Sequence, residues 1–166
     1  MVPPGGIRRG RPRLRGDAML KPRAAAPAPL PVKEPAKKKV LFVCVGNSCR
    51  SQMAEALARA YGSDVLTAYS AGLSPATVMA PLTRQVLEQR NVRADGQFPK
   101  NVNSFLQQTF DVVVNISGFP GKLPPATRSL EWAVPDPIGQ KEAVYQSVLN
   151  QIEGLVMRLI LELRAG

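Results

Sequence analysis

The feature that most constrains the fold is an uninterrupted apolar run over residues 40–45, rich in β-branched side chains, that follows three lysines. Such a run is typical of a strand buried on both faces, as strands are inside a parallel sheet. Gly46 and Asn47 end the run, and residues 51–60 are rich in strong helix formers. The order of strand, short loop and helix predicts an α/β domain built on a parallel sheet.

The rest of the chain repeats this alternation. Further strand candidates lie at residues 65–69, 111–116 and 129–134. Pro81 suits the first turn of a helix, and apolar side chains recur every three or four residues from Val144 to Leu163, which predicts a helix with one core-facing stripe. Because ligands of parallel α/β sheets bind at the carboxyl ends of strands, the loop after residue 45 is a candidate site.

The basic residues are concentrated at the start of the chain. Residues 1–39 hold 11 Lys and Arg against 2 Asp and Glu, whereas residues 40–166 hold 11 against 10. The first segment also holds 8 of the 16 prolines, a composition that cannot bury enough apolar surface to fold. We therefore expect residues 1–37 to be a disordered, basic, proline-rich tail and residues 38–166 to form one folded domain.

Three interpretations of the tail stay open: a solvated extension, including a stretch translated ahead of a later start at Met19; a basic arm that visits anionic surfaces; and a targeting peptide. The rest of the chain is nearly neutral, which argues against a specific nucleic-acid partner. No segment approaches the roughly 20 apolar residues of a membrane span, so no stable membrane association is expected.

Histidine and cysteine usage narrows the chemistry. The sequence has no histidine, which removes Cys-His nucleophile pairs and His-based metal sites. Its two cysteines, Cys44 and Cys49, are too few for a thiolate zinc cage or a disulfide framework. We expect no metal, no cofactor and a reducing, cytoplasmic compartment.

The segment that carries chemistry joins the first strand to the first helix. Cys44 ends the strand, five residues follow, and Arg50 and Ser51 open the helix. A loop in this position directs backbone amides inward, and the helix N-terminus and a guanidinium complete a cradle for a tetrahedral oxyanion. Gly46 and Asn47 tolerate the left-handed backbone that such a loop needs. The residues expected to bind the oxyanion are Val45, Gly46, Asn47, Ser48, Cys49, Arg50 and Ser51.

The same positive field favours the thiolate form of Cys44, which needs no histidine as its base. A thiolate inside an oxyanion cradle is suited to attack on phosphorus, or a similar tetrahedral centre, through a covalent intermediate. The alternative is an inert strand cysteine, with Arg50 as a solvated helix residue. A nucleotide-binding phosphate loop is disfavoured because the sequence has no G-x-x-x-x-G-K-[ST] motif.

Asp136 offers a proton donor for the leaving oxygen, since it lies between Pro135 and Pro137 after the last strand candidate. The prolines stiffen the loop, and shielding there would keep the carboxyl protonated long enough to donate its proton. The alternative is an aspartate that only shapes a turn.

From about Lys38 to Leu163 the chain resembles the low-molecular-weight protein-tyrosine phosphatase family, which includes related arsenate reductases. The resemblance is carried by the run from Val43 to Ser51 and by Met53-Ala54-Glu55, Ser70-Ala71-Gly72 and Asp136-Pro137. It implies a three-layer α/β fold with a four-stranded parallel sheet, helices on both faces, and a phosphate-binding loop after the first strand.

The resemblance also implies catalytic roles at matching positions. Cys44 resembles the nucleophile of the family and Arg50 resembles its phosphate clamp. Asp136 resembles the general acid, which later acts as the base that activates water.

Supporting roles follow from the same resemblance. Asn47 resembles the residue that shapes the loop, and Ser51 resembles the hydroxyl that donates to the sulfur of Cys44. Ser70 resembles a partner of Asn47. Cys49 resembles the second loop cysteine of the family, which can form a protective disulfide with Cys44 under oxidation.

Two departures from the family pattern bear on the substrate. Ile138 and Gly139 follow Asp136-Pro137, where tyrosine phosphatases of the family often carry aromatic residues that wall a phenyl ring. Thioredoxin-coupled arsenate reductases use two further cysteines after the strand matching residues 111–116, whereas this sequence has none beyond Cys49. An intramolecular thiol relay of that type is excluded, and a reductase would need an external thiol.

The sequence therefore predicts a metal-independent phosphomonoesterase of this family, acting through a phosphocysteine on a phosphotyrosine protein or a small aryl phosphate. The alternative is an arsenate reductase that uses an external thiol donor. A third class, an oxyanion-binding regulatory module without turnover, is disfavoured by the presence of Asp136 and Ser51.

Overall fold

The computed structural model describes Gly5, residues 22–31 and residues 34–166 of the chain. The chain divides into two units, Met1–Lys33 and Glu34–Gly166. In the first unit, residues 22–31 have no regular secondary structure and their side chains are exposed. Most of the tail predicted over residues 1–37 lies outside the described residues, and its disorder stays a prediction.

The second unit contains four strands, three α-helices and a short 3-10 helix at Val102–Phe105. The strands are parallel and lie in the order β2-β1-β3-β4, which confirms the predicted four-stranded sheet. No helix among the described residues is both long and apolar enough to cross a membrane. The elements are β1 (Lys38–Cys44), α1 (Arg50–Gly62), β2 (Leu66–Gly72), α2 (Pro81–Gln89), β3 (Phe110–Asn115), β4 (Ala126–Glu131) and α3 (Glu142–Ala165).

The strand order places the loop after β1 at the centre of one sheet edge. β2 lies on one side of β1, whereas β3 and β4 lie on the other. Chain connections that leave in opposite directions open a crevice at the carboxyl ends of the strands, where α/β sheets bind ligands. β1 ends at Cys44 and α1 begins at Arg50, so the predicted oxyanion loop lies at this crevice.

Alternate side chains of β1 pack into two separate cores. Val40 and Phe42 belong to the larger core, which the three α-helices complete. Leu41 and Val43 belong to a smaller core that includes residues of the 3-10 helix. Helical segments therefore cover both faces of the sheet, and β1 reads as an unbroken apolar run because neither of its faces meets water.

The fourth strand lies three residues earlier than the sequence predicts, at Ala126–Glu131 rather than at 129–134. β4 is an edge strand that pairs only with β3, and most of its side chains are exposed. Because a solvated edge strand carries no apolar run, the fourth strand was predicted at the more apolar residues that follow it. Those residues continue toward the site, and the Trp132 amide donates to the Asn115 carbonyl at 3.0 Å.

Candidate active site

The loop between β1 and α1 is held from its outer side through carbonyl groups. Four of these carbonyls, between Cys44 and Ser48, accept hydrogen bonds at 2.9–3.2 Å from backbone amides of segment 73–80. In a trans peptide the amide that follows a carbonyl points the opposite way, and no described peptide bond is cis. Inward amides are what an oxyanion cradle requires. The amides directed inward are those of Val45, Gly46, Asn47 and Cys49.

The N-terminus of α1 adds to this cradle. The helix begins at Arg50, and Cys49 before it makes no side-chain capping hydrogen bond. The amides of the first turn and the positive end of the helix dipole therefore remain available to a bound anion.

A relay of hydrogen bonds directs the hydroxyl of Ser51 toward the sulfur of Cys44. Asn47 Nδ2 donates to Ser51 Oγ at 2.7 Å, and Ser51 Oγ lies 2.8 Å from Cys44 Sγ. Because Oγ accepts a hydrogen bond from the amide, its own proton is free to be donated to the sulfur. Asn47 and Ser51 are fully buried and Cys44 is 3% exposed, so water does not compete for these groups. Ser51 thus has the position predicted for a donor to the nucleophile.

The backbone conformation of Asn47 is fixed by partners outside the loop. Its φ of 47° lies in the left-handed region, which asparagine tolerates better than most residues. The Lys100 amide donates to Asn47 Oδ1 at 2.8 Å, and Gln52 Nε2 donates to the Asn47 carbonyl at 2.9 Å. Gln52 is held in turn by Gln97, whose Nε2 donates to Gln52 Oε1 at 2.7 Å. Asn47 therefore has a left-handed backbone inside the loop and is positioned by segment 97–100, and its loop-shaping role stays a prediction.

Gly72 at the end of β2 leaves the space that the loop occupies. A Cβ at this position would lie 2.7 Å from the Val45 carbonyl oxygen and 3.0 Å from the Asn47 backbone nitrogen. These are backbone atoms, which cannot yield without distorting the loop. A glycine is therefore required at position 72, because the main chains of β2 and of the loop approach each other closely there.

The guanidinium of Arg50 is fixed from behind by two backbone carbonyls. Arg50 Nη1 donates to the Ile116 carbonyl at 2.8 Å and to the Val134 carbonyl at 3.0 Å. The residue is only 5% exposed, and these bonds satisfy one edge of a buried cation. Its other terminal nitrogen, Nη2, lies 3.5 Å from Asp136 Oδ2. The structure therefore brings the predicted clamp and the predicted acid together.

Asp136 differs from its prediction in one respect. Its side chain is 45% exposed, so the expected shielding between Pro135 and Pro137 is not found. Asp136 lies in the segment between β4 and α3, and water reaches its carboxylate there. Asp136 Oδ1 accepts a hydrogen bond from the Ile138 amide at 3.1 Å, which orients Oδ2 toward Arg50.

Cys49, the second cysteine, contacts α3. It is 2% exposed, and its Sγ donates to the hydroxyl of Tyr145 at 3.7 Å. Burial raises the pKa of the Cys49 thiol above its ordinary value, which favours the neutral form. Burial and the contact with Cys49 also raise the pKa of Tyr145. The disulfide with Cys44 that the resemblance implies stays a prediction, since both cysteines are free.

The predicted partnership of Ser70 with Asn47 is wrong in this structure. Ser70 Oγ donates to Glu55 Oε2, and Glu55 also forms an ion pair with Arg59 at 2.6 Å. A nearly buried carboxylate needs strong donors, and Ser70 meets that need. The hydrogen bonds of the Asn47 side chain go instead to Ser51 and to the Lys100 amide.

Several groups that build the site were missed by the sequence analysis. The carbonyls that hold Arg50 and the amide that holds Asn47 are backbone groups, which exist at every residue and leave no signature in a sequence. Gln52 and Gln97 are buried polar side chains, but without a structure nothing distinguishes them from surface glutamines.

Comparisons with known proteins identify the family of the chain. A model of the low molecular weight phosphotyrosine protein phosphatase family matches residues 39–119. The glutaredoxin arsenate reductase of Synechocystis sp. is 35% identical over 127 residues, which cover 74% of this chain and 96% of that protein. A solved arsenate reductase in the phosphate binding state has a TM-score of 0.70 at 33% identity, covering 76% of this chain and 98% of that chain.

A phosphatase structure is also similar. The low molecular weight protein tyrosine phosphatase of T. tengcongensis has a TM-score of 0.64 at 26% identity, covering 76% of this chain and 99% of that chain. A four-stranded parallel sheet with helices on both faces and a Cys-x5-Arg loop at its switch point places the chain in the α/β class. Within that class, the chain belongs to the low molecular weight phosphotyrosine protein phosphatase family, in which its arsenate reductase relatives are also found.

Proposed function

We propose that the protein is an arsenate reductase that bonds arsenate to Cys44 and takes its electrons from an external thiol. The observation that carries the proposal is the Asn47–Ser51–Cys44 relay, which holds a nucleophilic sulfur at the base of a loop of inward amides. Such a cradle accepts arsenate or phosphate, because both are tetrahedral oxyanions. Arsenate is favoured by the relatives named above, since those at 33–35% identity are arsenate reductases and the phosphatase is at 26%.

In the first step, the thiolate of Cys44 attacks arsenic. A sulfur–arsenic bond forms and one arsenic–oxygen bond breaks, and the departing hydroxyl leaves as water after taking a proton from Asp136. Arg50 and the inward amides stabilise the negative charge on the remaining oxygens. The hydrogen bond from Ser51 holds the sulfur in line with the centre of the loop.

In the second step, an external thiolate attacks the sulfur of Cys44. A sulfur–sulfur bond forms, and the sulfur–arsenic bond breaks with its electron pair remaining on arsenic, which is reduced from As(V) to As(III). A second external thiol then attacks the mixed disulfide and regenerates Cys44. Overall, arsenate and two thiols give arsenite, one disulfide and one water. Such donors are supplied by a reducing compartment, in accord with the predicted cytoplasmic location.

An external donor is needed because the chain offers no suitable internal thiol. Cys49 is the only other cysteine of the sequence, and it is buried against Tyr145 with a raised pKa. A neutral thiol is a poor nucleophile, so attack by Cys49 on the adduct would be slow.

Hydrolysis of phosphomonoesters is the second candidate, and the position of Asp136 beside Arg50 favours it. In that reaction Cys44 takes the phosphoryl group, Asp136 protonates the leaving oxygen and then activates the water that cleaves the phosphocysteine. The substrate would be a phosphotyrosine protein or an aryl phosphate, although Ile138 and Gly139 give no aromatic wall after the acid.

The test runs the two activities side by side on one preparation at neutral pH. Arsenite is measured with arsenate and reduced glutathione, and nitrophenolate is measured with para-nitrophenyl phosphate. We expect arsenite formation to exceed phosphate-ester hydrolysis and to stop when the thiol is omitted. Faster ester hydrolysis, with no conversion of arsenate by any thiol, would instead establish the phosphatase, and loss of both activities would leave a binding module.

A further inference from the structure

The carbonyl groups of the oxyanion loop are not all held in the same way. Four of the five between Cys44 and Ser48 accept hydrogen bonds from backbone amides of segment 73–80. Among the described residues, the carbonyl of Asn47 accepts only from a side chain, the Nε2 of Gln52 at 2.9 Å. The peptide plane that follows Asn47 therefore depends on one glutamine, whereas the other planes depend on contacts between main chains.

The orientation of the Gln52 amide is fixed by a second buried glutamine, Gln97. Gln97 Nε2 donates to Gln52 Oε1 at 2.7 Å and to the Gln52 carbonyl at 3.1 Å. Because the oxygen of the Gln52 amide accepts from this donor, its nitrogen is directed to the Asn47 carbonyl. A reversed Gln52 amide would place two oxygens together at Asn47 and two nitrogens together at Gln97. Only one orientation is therefore compatible with both contacts.

The other end of the Gln97 amide is left unsatisfied. Gln97 is 7% exposed, and its Oε1 is buried with no hydrogen-bond partner among the described residues. A buried acceptor without a partner is unfavourable and uncommon in folded proteins. Reversing this amide would bring no relief, because its oxygen would then face two acceptors of Gln52. The arrangement serves the contact with Gln52 rather than the hydrogen bonding of Gln97 itself.

The two glutamines act on the relay that ends at the sulfur of Cys44. Asn47 has a φ of 47°, and its Nδ2 donates to Ser51 Oγ, which lies 2.8 Å from Cys44 Sγ. A residue other than glycine stays in the left-handed region only where its surroundings hold it there. Release of the Asn47 carbonyl would therefore disturb both the inward amide of Asn47 and the direction of its Nδ2.

We propose that Gln97 is a positioning residue for the reaction at Cys44: its amide orients Gln52, which keeps Asn47 in the conformation that binds the oxyanion and directs the relay. The proposal deepens the proposed function and rests on it, because it takes Cys44 as the nucleophile. In this role Gln97 contacts neither the substrate nor the sulfur, so its whole effect passes through Gln52.

The first experiment measures the binding of inorganic phosphate to the full chain by titration calorimetry. Gln97→Met keeps the length of the side chain, removes the donor to Gln52 and removes the unsatisfied oxygen. We expect the dissociation constant for phosphate to rise about tenfold. The melting temperature changes little, because one buried oxygen loses its partner while an unsatisfied one is removed.

The matched control for Gln97→Met is Gln146→Met. It also breaks a hydrogen bond between two glutamines, from Gln146 Nε2 to Gln89 Oε1 at 3.2 Å, but this bond lies at the exposed surface between α2 and α3. We expect the control to leave the dissociation constant for phosphate unchanged. An equal rise in both variants would overturn the proposal.

A double-mutant cycle tests whether the effect passes through Gln52. Gln52→Met removes the hydrogen bond to the Asn47 carbonyl directly, so it weakens phosphate binding at least as much as Gln97→Met does. In the Gln52→Met background, Gln97→Met has no further effect. Additive losses would contradict the proposal, because Gln97 would then act on the site by another route.

Alkylation of Cys44 gives a readout that a purely structural role would not move. Iodoacetamide reacts with the thiolate, and mass spectrometry locates the product. We expect alkylation of Cys44 at neutral pH to be about tenfold slower in folded Gln97→Met, because Ser51 no longer holds its proton toward the sulfur. The control Gln146→Met reacts at the rate of the unmodified sequence.

Unchanged phosphate binding together with unchanged alkylation in Gln97→Met would overturn the proposal. If that variant does not fold, Gln97→Asn replaces it, since a shorter side chain withdraws its amide from Gln52 and the same results are expected. If no thiol reduces arsenate, the proposed function fails. The phosphate titration and the alkylation rate need no turnover, so they still decide the role of Gln97.

Discussion

Replacing Cys44 by serine lowers turnover of arsenate and of para-nitrophenyl phosphate by a factor on the order of 10⁴ or more. A serine hydroxyl occupies the same position and can keep the contact with Ser51, so the loop retains its shape. An alkoxide does not form there at neutral pH, because the sequence has no histidine to take the proton. The variant therefore still binds the oxyanion but forms no covalent bond with it.

The matched control for this variant is Cys49→Ser. Both substitutions exchange a buried loop cysteine for serine, but Cys49 donates to Tyr145 and does not face the oxyanion through its sulfur in the proposed mechanism. We expect Cys49→Ser to keep most of the turnover, measured by arsenite release. Comparable losses in both variants would show that the sulfur of Cys44 has no special role.

Replacing Asp136 by asparagine lowers turnover by about 10²–10⁴-fold, because the departing oxygen loses its proton donor. Oxyanion binding changes little, since Asp136 approaches Arg50 only to 3.5 Å and does not belong to the cradle. The measurement compares kcat with the inhibition constant for inorganic phosphate.

The exposed Asp95→Asn is the control for Asp136→Asn, since it also removes a carboxylate that pairs with an arginine, here Arg93 at 3.9 Å. It leaves both kcat and the phosphate inhibition constant unchanged. If Asp136→Asn weakens phosphate binding as much as it lowers kcat, the carboxylate acts on the shape of the loop rather than as an acid.

The sequence was sufficient for the central part of the fold because burial and chemistry there act on neighbouring residues. β1 is apolar on both faces, and the change from strand to loop to helix between Cys44 and Arg50 is a local property of the chain. The edge strand β4 was misplaced because its side chains face water and follow no apolar pattern.

The partners of the site residues were less predictable, because they depend on contacts between distant segments. Arg50 is held by carbonyls of Ile116 and Val134, and Asn47 by the amide of Lys100. Ser70 was assigned to Asn47 by resemblance, whereas the buried carboxylate of Glu55 takes its hydrogen bond.

The aromatic side chains near Arg50 illustrate the same limit. Phe119 and Trp132 are 13 positions apart in the sequence, and neither belongs to a catalytic motif. They become neighbours because β3 and β4 pair in parallel and both chains leave the same edge of the sheet. The residues after Asp136 supply no aromatic wall, and the aromatic side chains near Arg50 come instead from the segments that follow β3 and β4.

The most direct test of the account is the mass of the intact protein, acid-quenched during reaction with arsenate and limiting glutathione. We expect a mixed disulfide that joins one glutathione per chain to Cys44 and that forms only when arsenate is present. A disulfide between Cys44 and Cys49 in its place, or a glutathione adduct that forms equally without arsenate, would contradict the central claim that an external thiol reduces an adduct on Cys44.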